Sequence, residues 1–472
     1  MTLTQSQAQQ AVIAVNRFGL GARPGELALA ATNPRQWLLR QMTPLQFDMQ
    51  LANTNTAFEM MAGLRAMQKR QRSSSAAMAD SKLDDYRKQI RQVKQSLLTD
   101  SLWQSVETSR PFAMRLVDFF SNHFSVSTST QPLHILAPLL EREAIAPHVF
   151  GRFEDMLIAV IQHPAMLVYL DNPRSTGPNS RVARNVKPGN KKRGLNENLA
   201  REIFELHTLG VDGSYGLADI QELAKAITGW SVSRPNELTK LGFVYRENIH
   251  EPGERRILTK SYKEVKGNKG VRQGEKVLRD LARHPATAAF VSFKLAQWLV
   301  SDQPDPALLG AMEASWRKTN GDLCAVITTL VEHPVSWQAE RQKLKTPREF
   351  VVSTLRAIGA EQHSINKRQQ RFAKGIVYHL MQMGQAPFNA GSPAGYSQLG
   401  QDWSGSDALM KRIDWVNILN TVIPKMGANV LEISQQVLAG QVSERTLRML
   451  NGAETQRQGR TLLFMSPEFQ RR

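Results

Sequence analysis

Cysteine is nearly missing from this sequence: Cys324 is the only one among 472 residues. No intrachain disulfide can form, and no cysteine-based zinc site can be assembled. Long apolar runs are missing too, since none approaches the roughly 20 residues of a bilayer-spanning helix. The opening MTLTQSQAQQAVIAV lacks the basic start, apolar stretch and small-residue cleavage site of a secretory signal. The expectation is therefore a cytoplasmic chain without a membrane span. Acidic residues are in deficit, 42 against 60 Lys and Arg, and the net charge is +18. A field of that sign attracts nucleic acid, anionic lipid or acidic polymers.

The excess charge is clustered in residues 65–94, in the loop from Arg181 to Arg193 and in residues 367–374. Such runs read first as solvated faces. Arg181, Arg184, Lys187, Lys191, Lys192 and Arg193 make up the candidate basic surface. No helix-turn-helix, RNP-like or zinc-finger signature stands beside these runs, which argues against nucleic acid as the partner.

Apolar residues recur mainly at helical spacing and strand-like alternation is scarce. The expected fold is mostly α, a multi-helical, bundle-like globule over residues 1–472. ELALAATNPRQWLLRQM predicts two short helices broken at Asn33-Pro34. Residues 44–70 and 80–108 predict two long charged helices, so 61–98 reads as a charged helical hairpin inserted in the domain. PFAMRLVDFFSNHF and TPREFVVSTLRAIG begin with Pro111 and Pro347 at the favoured first-turn position, the second behind Thr346 as N-cap. Residues 173–194, rich in Pro, Gly, Asn and basic residues, predict a flexible basic loop and a candidate lid. GFVYREN and RRILTKSY flank IHEPGE, whose Pro-Gly pair predicts one small β-hairpin near 242–262. His-Pro occurs at 163–164, 284–285 and 333–334, where the imidazole suits the dipole of a helix C-terminus.

NENLAREIFELHTLG, residues 196–210, concentrates amides, acids, an arginine and a histidine. On a wheel at about 100° per residue, Glu197, Arg201, Glu205 and Thr208 form a polar stripe. Leu195, Leu199, Ile203 and Leu206 form an apolar one. His207 lies roughly 160° from Glu205 on that wheel, so the two cannot chelate one ion, and no His-Glu-x-x-His motif occurs. Asp212-Gly213 with Asp219 mimics half of an EF-hand loop, but Thr208 and Gly210 stand where its first carboxylates belong. A nucleophile elbow and a phosphate loop are both missing. GLGARPGE has no strand before it, and Cys324 in DLCAVIT reads as core packing. No metal is assigned, and no cofactor is indicated.

Long stretches nevertheless resemble a bacterial family known as domain of unknown function 1800. They include NRFGLGARPGEL, RLVDFFSNHFSVS, EREAIAPHVFGRFEDMLIAVIQHPAMLVYLDN, GPNS, GLNENLAREIFELHTLGVDGSYGLADIQELAKAITGW, LARHPATAAFVSFKLAQWLV, KTPREFVV and GQAPFNAGSPAGY, and run nearly end to end. The resemblance implies a predominantly α-helical fold and no transferable activity. It also implies a neighbouring-gene partner resembling sulfatases and phosphatases, which commonly carries a twin-arginine export signal, and hence export of this chain as a passenger.

Polar residues of these stretches fall at helix ends and loop starts, where a helical scaffold carries function. Asn122, His123, Asp171, Asn172, Asn179, Asn196, Glu197, Asn198, Arg201, Glu202, Glu205, His207 and His250 form one candidate cleft roofed by 173–194. The bland alternative is that they cap helices and satisfy buried backbone. The leading functional expectation is an accessory or binding protein working with the sulfatase/phosphatase-like partner on an anionic polymer. A hydrolase or transferase using a carboxylate with His123 or His207 is the alternative, and nucleic-acid binding through the basic segments is the third.

Overall fold

The computed structural model describes residues 4–73, 77–185, 194–234, 237, 241–338, 340–362, 367–422 and 429–472. Among them helices carry nearly all the regular structure, with two two-stranded antiparallel sheets beside them. No helix of the described residues is long and apolar enough to cross a membrane.

The helix Pro111–His123 lies deep in the core, and ten of its thirteen residues are buried. What it leaves unburied is one narrow polar stripe, Asp118, Ser121 and Asn122, at i, i+3 and i+4. The long helix Ala77–Glu107 buries Leu83, Ile90, Leu97, Leu102 and Val106 along its length. Its partner in the charged hairpin, Thr54–Ser73, begins ten residues later than the periodicity suggests. Residues 44–53 instead take an irregular path, with Phe47 under the Arg142 guanidinium and the Asp48 carbonyl accepting from it. Asn33 ends one short helix and caps the next by accepting the Gln36 N–H, as its place before Pro34 predicts.

Three helices contain a single wide π-type turn: Ala14–Phe18, Glu141–Ile145 and Ile203–His207. Such turns are uncommon and gather at functional sites.

Strand forms near the expected place but pairs differently. Strand β1 (Trp230–Val232) pairs with β2 (Phe243–Tyr245), and β3 (Arg255–Ile257) with β4 (Lys260–Tyr262). The second hairpin turns at Leu258, whose φ is +54° and whose N–H is taken by Asp219 Oδ1 at 2.6 Å. IHEPGE is no turn between β2 and β3, because its backbone has other partners: Ile249 accepts from Gly177 and Glu251 donates to Thr228 Oγ1. Two of the three His-Pro pairs serve a further purpose beside the one expected. His163 and His284 cap the following helices, their Nδ1 atoms accepting from Ala165 and Ala286 N–H. Cys324, expected in the core, is half-exposed.

Buried ion pairs tie distant segments together. Arg356 makes a two-pronged pair with Glu26 and also binds the Gly21 carbonyl. Arg115 reaches both the Gly19 carbonyl and Glu349.

Candidate functional site

The polar groups of Asn196–His207 are largely tied off. Asn196 Nδ2 donates to the Leu170 and Asp171 carbonyls, and its Oδ1 accepts the Asn198 N–H. Glu197 accepts from Gln221 and lies 3.6 Å from Arg201, which pairs with Glu205 at 3.2 Å. Glu202 is half-buried, and burial followed by the charge of Glu205 raises its pKa. Asp171 pairs with Arg174, while Asn172 Nδ2 donates to the Ile227 and Trp230 carbonyls. These are backbone-satisfying roles for the most part.

His123 and His207 are brought together in the core, ring centroids 6.1 Å apart. His123 Nε2 donates to the His207 carbonyl at 3.2 Å, while both ring nitrogens of His207 lack partners. Burial and the nearby Lys294 hold both imidazoles neutral, His207 down to about 3. Lys294 is itself pushed down to about 8 by burial, and no described carboxylate pairs with it. Phe119, Phe124 and Phe290 pack around the His123 ring, so these imidazoles sit in an aromatic core.

The residues that reach a cavity lie elsewhere. The GPNS stretch is fastened along 249–251: Gly177 N–H donates to the Ile249 carbonyl, and Asn179 donates through N–H and Nδ2 to the Glu251 carboxylate at 2.7 Å each. Gly177 is required for this contact, because a methyl group there would come within 2.6 Å of the Glu251 backbone. The fastening sets the short helix Arg181–Arg184, capped by Ser180, at the mouth of a cavity of about 300 Å³. Arg181, Arg184, Tyr245, His250, Glu264 and Lys266 are among its walls.

His250 is held from behind. Its Nδ1 donates to the Thr228 carbonyl at 2.8 Å, which leaves Nε2 as an unpartnered lone pair. Burial lowers its pKa and the charge of Arg255 adds to this, outweighing the Thr228 bond, which raises it. The Tyr245 hydroxyl beside it has no partner either, and burial raises its pKa. Arg181, Arg184 and Lys266 are exposed, and none of the three is ion-paired among the described residues. Glu247 and Glu264 lie on the same rim, and Glu247 is engaged by the Gly267 N–H.

The structure thus joins two sets that the sequence kept apart, His250 from the candidate cleft and Arg181 and Arg184 from the basic surface. Lys187, Lys191, Lys192 and Arg193, with the 186–193 part of the candidate lid, lie outside the described residues. Asn122 lines a different cavity, and no residue of Asn196–His207 lines either of the two. Sequence reasoning passed over Tyr245 and Lys266; a Tyr alternating with Phe243 in a short strand was the only signal available. Among the described residues no three His, Cys, Asp or Glu side chains gather as a metal would require.

The family described as Protein of unknown function (DUF1800) matches residues 13–471 of the chain. No curated protein and no solved structure matches it.

Proposed function

The chain belongs to the DUF1800 family, and on that premise we propose that it binds an anionic polymer, holding phosphate or sulfate groups at the Arg181–His250 cavity. The observation that carries this reading is three exposed cations, Arg181, Arg184 and Lys266, around one cavity with no described ion-pair partner. Arginine forks suit the oxygens of such esters, and the net charge of +18 draws a polyanion toward them. A sulfatase/phosphatase-like partner would work on the same ester class, with this chain as the holding component.

A second reading uses the same cavity for hydrolysis or transfer. Its support is His250, whose tautomer presents a lone pair at Nε2 as a general base requires. His250→Gln separates the two readings, since it keeps the anion site and removes the base.

The test is anisotropy of labelled inorganic polyphosphate, and separately of dextran sulfate, titrated across salt concentrations. Wild type should bind near physiological salt, with log affinity falling linearly as log salt rises. Arg181→Ala with Arg184→Ala should weaken binding about tenfold or more and reduce the slope by roughly 1 to 2. A wild-type chain with no affinity for either polymer ends the proposal.

A further inference from the structure

A second cavity, of about 80 Å³, opens where three distant stretches meet. Its floor is the polar stripe of Pro111–His123, its side is the Thr346–Glu349 turn, and its roof is the segment 385–396. The roof is pinned at several points. Asn122 exchanges two hydrogen bonds with the Tyr396 backbone, at 2.9 and 2.8 Å. Thr128 N–H donates to the Phe388 carbonyl, and Gln385 accepts the Arg348 N–H. Gly395, at φ +80°, lets the roof lie on Asn122, whose carbonyl a methyl group there would meet at 2.4 Å. Phe388 lines the cavity at φ +49°, a strained conformation for a side chain of that size.

The chemistry of the wall is specific. Asp118 Oδ1 takes both bonds from Arg348, which leaves Oδ2 without a described partner. Glu141 is 3% exposed, and each of its oxygens accepts one serine hydroxyl, from Ser101 and Ser121, keeping a further lone pair. Trp298 is 5% exposed, lines the same cavity, and its indole N–H has no acceptor among the described residues. A ligand here must therefore accept from the indole and donate to carboxylates. An anion meets Asp118 and Glu141, and a cation offers the indole nothing. A hydroxyl does both.

We propose that this cavity binds a small neutral molecule carrying neighbouring hydroxyl groups, a glycerol-sized polyol or one hydroxylated edge of a monosaccharide. Its hydroxyls bond Trp298 Nε1, Asp118 and Glu141, and its carbon skeleton lies against Phe388. Asp118 is paired with Arg348, and Glu349 with Arg115 and Arg472, so little unbalanced charge faces the cavity, which favours a neutral occupant further. A cavity of this volume holds several waters, and solvent alone is the competing account.

The experiment titrates glycerol, glucose and N-acetylglucosamine separately into the uniformly nitrogen-15-labelled full-length chain and follows its eight indole N–H signals. One indole signal should move saturably with at least one probe, and the probe that acts tells polyol from sugar. Trp298→Phe should delete that signal and weaken binding by roughly two- to tenfold, the worth of one hydrogen bond. Ala386→Leu, which fills the cavity without removing a polar group, should abolish binding while the melting temperature holds. If no probe shifts any indole signal saturably, or if Ala386→Leu binds as wild type does, the cavity holds water only and the proposal is overturned.

Discussion

Glu349 and His207 are both buried, yet the protein treats them in opposite ways. Glu349 stays ionised, because Arg115, Arg472 and the Thr346 N–H surround it and hold its pKa down to about 2. His207 gives up its charge: no described carboxylate opposes Lys294, and burial takes it to about 3 as a neutral ring without a hydrogen-bond partner among the described residues. Full pairing keeps a buried charge tolerable. Where no counter-charge is near, the cheaper course is neutrality. Identical burial therefore says nothing about ionisation until the neighbours are named.

Acidification should strain the unpaired centre first. The folded pKa of His207 lies below its unfolded value, so its contribution is complete above about pH 6.5 and lost as pH falls toward 3. The loss amounts to on the order of 5 kcal/mol. Denaturant midpoints in steps from pH 7 to 4 should show it, and His207→Phe should flatten that slope. A variant as pH-sensitive as wild type would place the titrating group elsewhere. Glu349 also has a folded pKa below its unfolded value, so its contribution fades only between about 4.5 and 2.

Breaking the paired centre comes next in size. Glu349→Ala leaves two buried guanidinium groups without their carboxylate and should cost about 3–5 kcal/mol by chemical denaturation. Asn179→Ala, which removes one side-chain donor to Glu251, should cost about 1 kcal/mol and loosen amide protection across 249–251. The smallest effect belongs to a solvated network. Arg201→Ala removes two helix-surface ion pairs and should change stability by under about 1 kcal/mol, with the difference vanishing in high salt.

What could be read from the chain was local. The helical class, the break at Asn33-Pro34, Thr346 as a cap, and the Glu197–Arg201–Glu205 ladder all depend on neighbours within four residues. The irregular start before Thr54 and the β1–β2 pairing were not legible, because the partners that decide them are Arg142 and a strand thirteen residues away. The imidazole caps of His163 and His284 were not read, although Pro at the next position already marked a helix start. Neither cavity was visible as a unit. Asp118 and Arg348 stand 230 residues apart, and Arg181 meets His250 only because Asn179 grips Glu251.

The helical wheel failed at one identifiable point. It placed Leu206 in the core and Thr208 among the polar groups, whereas Leu206 is half-buried and Thr208 fully buried, with its Oγ1 donating to the Ile203 carbonyl. The turn Ile203–His207 holds one residue more than an α-turn does, and so rotates everything after it.

That surplus residue works like a cam on a shaft. Upstream of Ile203 the helix turns its charged side to the surface; downstream the same rotation has carried a histidine and a threonine inward and a leucine outward. Deleting a single residue from the wide turn would restore an even pitch and move both polar side chains out of their present places in the core. The aromatic shell around His123 would then close on an empty space, so the length of one turn governs what this interior contains.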